Sequence, residues 1–136
     1  LQSTHSANPL ACAAGSATID EINRLKLTER SKKLGSIFSI YLKKIKKEHF
    51  NCVGYVTNRG LIGAIIFKNY QKIKAKDIAS LVAIKCLKKG LLVVATNRDS
   101  IKLGPPLIIS KKDLIKSMKI LNACIEEFLS ENSKKH

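Results

Sequence analysis

The side chains best placed to do chemistry in this chain stand together near its start, in Ser3-Thr4-His5-Ser6-Ala7-Asn8-Pro9. Three hydroxyls and an imidazole precede a dipeptide that opens helices. Asparagine caps a helix N-terminus with its side-chain oxygen, and proline suits the first helical position because its missing N–H is not needed there. Such a terminus presents free N–H groups and a partial positive charge, so it attracts phosphate. Ser3, Thr4 and Ser6 add hydroxyl donors just ahead of it, and the small residues after it leave room for a ligand. Two readings stay open on this physics alone: an ordinary capped helix, and an anion site. His5 adds a candidate acid–base group.

Cys12, Cys52, Cys86 and Cys124 are widely spaced, with no Cys-x-x-Cys and no paired His/Cys cluster, so metal-binding spacing is absent. They read as small buried hydrophobes in a reducing cytoplasm. The chain sets 25 basic residues against 10 acidic ones, a net charge of +15 that invites a nucleic-acid partner. Only Arg24, Arg30, Arg59 and Arg98 are arginine, and the other 21 are lysine. A phosphate-reading surface favours arginine, which forks onto phosphate and stacks on bases. Arg59 to Phe67 comes close to an RNA-recognition-motif strand, but Leu61 and Gly63 stand where its stacking aromatics belong, leaving only Phe67. Gly60-x-x-Gly63 mimics a KH-domain loop, yet it sits inside an apolar strand pattern. The lysines are therefore expected to form a solvated surface, with no nucleic-acid partner. No apolar run approaches the roughly 18 residues of a membrane span, and the start lacks the pattern of a signal peptide. A soluble, cytoplasmic protein is expected. Because the chain begins Leu1-Gln2 and its only methionine is Met118, it is expected to be a fragment of a longer one.

The elements that must position these residues can be read from periodicity. A helix is expected from Pro9 to Arg24, rich in alanine at first, so that another backbone could approach closely. A second fits 27–48, with Leu34, Ile37, Phe38, Tyr41, Leu42 and Ile45 on one face. Strands are expected around Val53 and Tyr55 and from Leu61 to Phe67, with Thr57-Asn58-Arg59-Gly60 as their turn. A third helix covers 75–89 and stops at Gly90. Leu91 to Ala95 and Ser100 to Leu103 read as strands around a turn at 96–99, and Pro105-Pro106 end the ladder. Ser110 and Asp113 open a last helix with a stripe of Leu114, Met118, Leu121, Ile125 and Phe128. The tail from Ser130 reads as polar and frayed. The order α-α-β-β-α-β-β-α predicts an α+β fold, a small antiparallel or mixed sheet with helices on one face.

Residues Ser3 to Ala14 resemble the S-T-x-x-G/A-N-P-L-A-C-A-A segment of class III aminotransferases, pyridoxal-phosphate enzymes of fold type I. Thr28-Glu29-Arg30-Ser31 with Leu34-Gly35, Arg59 to Gly63, Gly90-Leu91-Leu92 and Ser100 to Leu107 are similar to further motifs of that family in the same order. The resemblance covers nearly the whole chain. It implies the C-terminal small domain of the family, with helices on one face of a small, largely antiparallel sheet. Residues 1–24 would be the end of the large domain and a connecting helix with the phosphate-binding loop, and 25–136 the small domain. The lysine that carries the pyridoxal 5'-phosphate would lie upstream, so the chain holds no catalytic residue of its own.

The same resemblance implies a homodimer acting on an amine or amino-acid donor and a keto-acid or aldehyde acceptor. Thr4 would bind the phosphate of the partner subunit's cofactor, with Ser3 beside it. His5 stands at an often aromatic position and would pack near the cofactor's edge. Lys102 replaces an arginine that, in many members, forks onto the substrate's α-carboxylate; lysine offers only a point charge there. Its role stays open between a structural one and a weakened carboxylate contact. Racemase, epimerase or aminomutase chemistry on the same fold is the first alternative, and a small basic nucleic-acid-binding domain using the lysine-rich faces is the second.

Overall fold

The computed structural model describes residues 8–133. Helix α1 (Pro9–Arg24) is followed after Leu25-Lys26 by α2 (Leu27–Glu48), and Lys26 makes the corner with a left-handed backbone, φ 49°. Strands β1 (Val53–Arg59) and β2 (Ile62–Phe67) form a hairpin. Helix α3 (Ala75–Lys88) leads to β3 (Val94–Ala95) and β4 (Ser100–Leu103), and α4 (Lys111–Ser133) closes the described chain. The sheet runs β1-β2-β4-β3 with every pair antiparallel. This is the α+β architecture that the pattern predicts.

Alternation along each strand decides what each face of the sheet does. Val53, Ile65, Phe67, Ile101 and Leu103 point inward and are buried. Phe38, Leu42 and Ile45 of α2, Ile78 and Val82 of α3, and the apolar stripe of α4 close over them. Burying each such side chain contributes about 1.5–3 kcal/mol. The lysines of α2 at 32, 33, 43, 44, 46 and 47 lie off the core face, as expected, and Lys46 Nζ sits 5.5 Å from the centre of the Tyr55 ring.

Three boundaries differ from expectation, each for a local reason. The first hairpin turns at Gly60-Leu61, because β1 runs on through Thr57-Asn58-Arg59. Gly60 takes φ +55°, and a Cβ on Gly35 would stand 2.6 Å from its Cα, so the turn lies directly on the α2 backbone. Asn58 Nδ2 donates to both Gly35 O and Gly60 O at 3.0 Å, and Leu61 N donates to Ser31 Oγ at 3.3 Å. These long-range bonds extend a strand through residues whose local preference is for a turn. Strand β3 holds two residues, not five. Extending its register would set Leu92 and Leu91 against Gly104 and Pro105, and a proline carries no N–H for a ladder. Helix α4 continues to Ser133 where fraying was expected, with Asn132 Nδ2 donating to Phe128 O at 2.7 Å.

The start of α4 has the predicted cap, since Asp113 N donates to Ser110 Oγ at 3.0 Å and that hydroxyl donates to the Asp113 carboxylate at 2.6 Å. Ion pairs join α3 to α4: Lys85 Nζ lies 3.0 Å from Glu127 and 2.7 Å from Glu131, and Lys89 Nζ lies 2.5 Å from Glu127. The Lys89 and Lys85 ammonium groups hold the Glu127 carboxyl down at about 2.

Candidate substrate and cofactor site

Ser3, Thr4 and His5 lie outside the described residues. From Asn8 onward the structure shows how the start of the helix is capped. Asn8 Oδ1 accepts from Leu10 N at 2.9 Å and Ala11 N at 3.4 Å, while Cys12 N donates to Asn8 O at 2.9 Å. Pro9 has no N–H. The Leu10, Ala11 and Cys12 amides are therefore engaged within the cap and the helix, which leaves them without a free donor for phosphate. A phosphate contact here falls to side chains ahead of the cap. The residues of α1 are exposed apart from Ile22, which is half-buried, and Leu10 stands 80% exposed.

Lys102 is the second position singled out by the sequence. It lies on β4, in one row with Thr57, Ala64 and Val94 across all four strands. Ile101 and Leu103 on either side of it are buried, so Lys102 points away from the core and is exposed. The outer face around it forms a shallow concavity of about 330 Å³ lined by Thr57, Arg59, Ile62, Thr96, Ser100 and Lys102, among others. A second hollow of about 390 Å³ opens on its other side, walled mainly by apolar residues such as Leu91, Val93, Leu103 and Met118. Lys102 thus lines both hollows, each of them walled mainly by apolar surface.

The loop after Lys102 is fixed by Arg30 of α2. Its guanidinium donates to the carbonyls of Leu107, Ile108 and Ile109, at 3.2 Å for Leu107. A fork of fixed geometry suits three successive carbonyls. It ties the residues after Pro105-Pro106 to α2. The Glu29-Arg30 motif signals this position in the sequence but does not reveal its task.

His49, Cys52 and Cys86 are occupied or silenced. His49 is buried, with Nε2 2.9 Å from Asn122 Oδ1, and Asn122 Nδ2 donates to Glu48 Oε2 at 3.1 Å. No sequence signal marks this chain of contacts, because each joins residues more than seventy positions apart. Burial pushes the Cys52 thiol up to about 11. Burial and the neighbouring Cys124 push Cys86 up to about 12. Both stay protonated at neutral pH and are poor nucleophiles. Cys12 is exposed, contrary to the expectation that all four cysteines are buried. Phe67, the one aromatic left from the RNA-binding pattern, is only 3% exposed and cannot stack on a base. Among the described residues no three His, Cys, Asp or Glu side chains gather to hold a metal, and no helix is long and apolar enough to cross a membrane.

The helix-backed antiparallel sheet, preceded by an Asn-Pro-capped helix, is consistent with a small domain of the pyridoxal-phosphate transaminase fold. The family profile described as aminotransferase class III matches residues 1–125, and the chain belongs to that family. The acetylornithine aminotransferase of Archaeoglobus fulgidus is 36% identical over 119 residues, 88% of this chain and 28% of that protein. The mitochondrial ornithine aminotransferase of Arabidopsis thaliana is 35% identical over 126 residues, 91% of this chain and 26% of its own length. Among solved structures, the acetylornithine aminotransferase of Elizabethkingia anophelis superposes with a TM-score of 0.83 at 32% identity, covering 94% of this chain and 31% of that one. The chain thus spans little more than a quarter of the curated relatives it matches.

Proposed function

We propose that this chain is the C-terminal part of a pyridoxal-phosphate-dependent aminotransferase that moves an amino group from an amine or amino-acid donor to a keto acid or aldehyde. The observation that carries this reading is the family match over residues 1–125, in which the motifs of the resemblance succeed one another along a single fold. Residues 1–24 belong with the large domain, and 25–136 form the small one. The cofactor, when bound, supplies the electron sink for the amino transfer.

This chain's own residues bind and orient. Thr4, with Ser3 beside it, donates to the phosphate of the cofactor held by the partner subunit of a homodimer. The engaged amides at the start of α1 support that assignment, because they leave phosphate recognition to the hydroxyls ahead of Asn8. Lys102 faces a substrate carboxylate as a point charge; its outward position on an open face supports a binding role over a structural one. The relatives point to ornithine and acetylornithine as the first donors to try. A cytoplasmic location belongs to the same reading, and the free cysteines agree with a reducing compartment.

The test uses the full-length protein loaded with pyridoxal phosphate. Adding an amino donor without an acceptor should convert the cofactor to its amine form, read as a change in its visible absorption. Ornithine, N-acetylornithine, alanine and a simple alkyl amine make a sufficient panel. No spectral change with any donor across a broad panel would remove the aminotransferase reading. Thr4→Ala should weaken cofactor retention, and unchanged retention would count against its assigned role.

A further inference from the structure

Arg59 is the other cation on the outer face of the sheet. It stands on β1 opposite Ile62, exposed and outside every ion pair among the described residues. Arg24 is paired with Glu21, and Arg30 is spent on three carbonyls. Arg59 and Lys102 line the same concavity, whose other polar residues are Thr57, Asn58, Thr96 and Ser100, with no carboxylate among them. Two cations and no acid on a largely apolar hollow complement an anion with a hydrocarbon body, while the Thr96 and Ser100 hydroxyls bond to each other.

The register sets how far apart the two cations stand. Lys102 faces Ala64, Ala64 faces Thr57, and Arg59 lies two residues farther along β1 on the same face. Two strand spacings across and two residues along separate their Cα atoms by about 12 Å. Both side chains rise from that face and are long enough for their charged ends to meet over the hollow. A guanidinium free of internal partners offers two parallel N–H donors that match a planar carboxylate, which an ammonium cannot do.

Resting on the aminotransferase reading, we propose that Arg59 is a substrate-binding residue. Its guanidinium makes the two-pronged carboxylate contact that Lys102 cannot make, with Lys102 adding a point charge over the same hollow.

The test is a calorimetric titration of the full-length protein with glutarate, a carboxylate that cannot donate or accept an amino group. Arg59→Gln should weaken glutarate by about 10- to 100-fold, the loss expected for a charge-assisted paired contact. Arg59→Lys should recover only part of it. Arg98→Gln, an exposed arginine on the β3–β4 turn, should bind like the wild type. In turnover, Arg59→Gln should raise KM for amino-acid donors well above its effect on an alkyl amine lacking a carboxyl group. Glutarate affinity unchanged in Arg59→Gln overturns the proposal, as does an equal rise in KM for the carboxyl-free amine. Should Arg59→Gln fail to fold, full affinity in Arg59→Lys overturns the fork by itself. A wild type with no donor-dependent spectral change defeats the aminotransferase reading separately, and the glutarate titration still decides the role of Arg59.

Discussion

The two faces of the four-stranded sheet are made from alternate residues of the same strands, yet they have opposite characters. On the inner face Ile65, Ile101 and Phe67 lie beneath α2, α3 and α4 with almost no exposure. On the outer face Thr57, Arg59, Ile62 and Lys102 are exposed, and Tyr55 and Val94 stand more than half exposed. One residue of offset separates a side chain that holds the fold from one that is free to meet a ligand. The difference teaches that stability and recognition can be tested separately in this domain.

The largest effect should come from the inner face. Phe38 is 1% exposed beneath the sheet. Phe38→Ala should cost about 3–5 kcal/mol through lost transfer and an unfilled cavity, measured by chemical denaturation. A loss below about 1 kcal/mol would mean that the core closes over the gap and is less rigid than its burial implies.

Gly35→Ala comes next, because its Cβ would strike the Gly60 backbone. Forcing α2 away from the hairpin turn should cost about 1–3 kcal/mol, with the outer-face residues on β1 shifted too. Denaturation together with glutarate affinity reads both effects. If stability falls and affinity holds, the hairpin turn does not position Arg59.

The ion pairs at the solvent edge between α3 and α4 should give a pH-dependent effect. Glu127 titrates at about 2 when folded, against an ordinary value of 4.5. Between those values the unfolded chain binds more protons, so the stabilisation is complete above about 4.5 and lost as pH falls toward 2. Thermal midpoints of wild type and Glu127→Gln should therefore converge on acidification through that window. Added salt should narrow the gap at neutral pH as well, since the pairs are partly exposed.

The smallest stability change belongs to the outer face. Lys102→Gln should alter folding by no more than about 0.5 kcal/mol, as for most surface substitutions, while raising KM for carboxylate-bearing substrates. A drop in the melting midpoint matching that of Phe38→Ala would erase the distinction between the faces.

Much of the fold was legible locally. The stripe from Leu114 to Phe128, the Ser110–Asp113 cap and the Asn8-Pro9 helix start are contained in neighbouring residues, and each stands as read. The misplaced boundaries depend on distant partners: Gly35 and Ser31 carry β1 past its apparent turn, and Gly104-Pro105 leave Leu91 and Leu92 without a ladder. The site divided in the same way. Lys102 was visible from its motif, whereas Arg59 was seen only as part of a turn and a glycine-rich strand.

The sequence by itself determined the class III family, the alternation of helices and strands, and the hydroxyl-rich segment ahead of α1, because motifs, caps and periodicity are short-range properties. Only the tertiary structure decided that Arg59 and Lys102 share one open face, that Arg30 is committed to the Pro-Pro loop, and that the first-turn amides of α1 are engaged. Those facts depend on strand order, register and hydrogen-bond geometry, and a linear pattern does not specify which side chains the packed sheet leaves free.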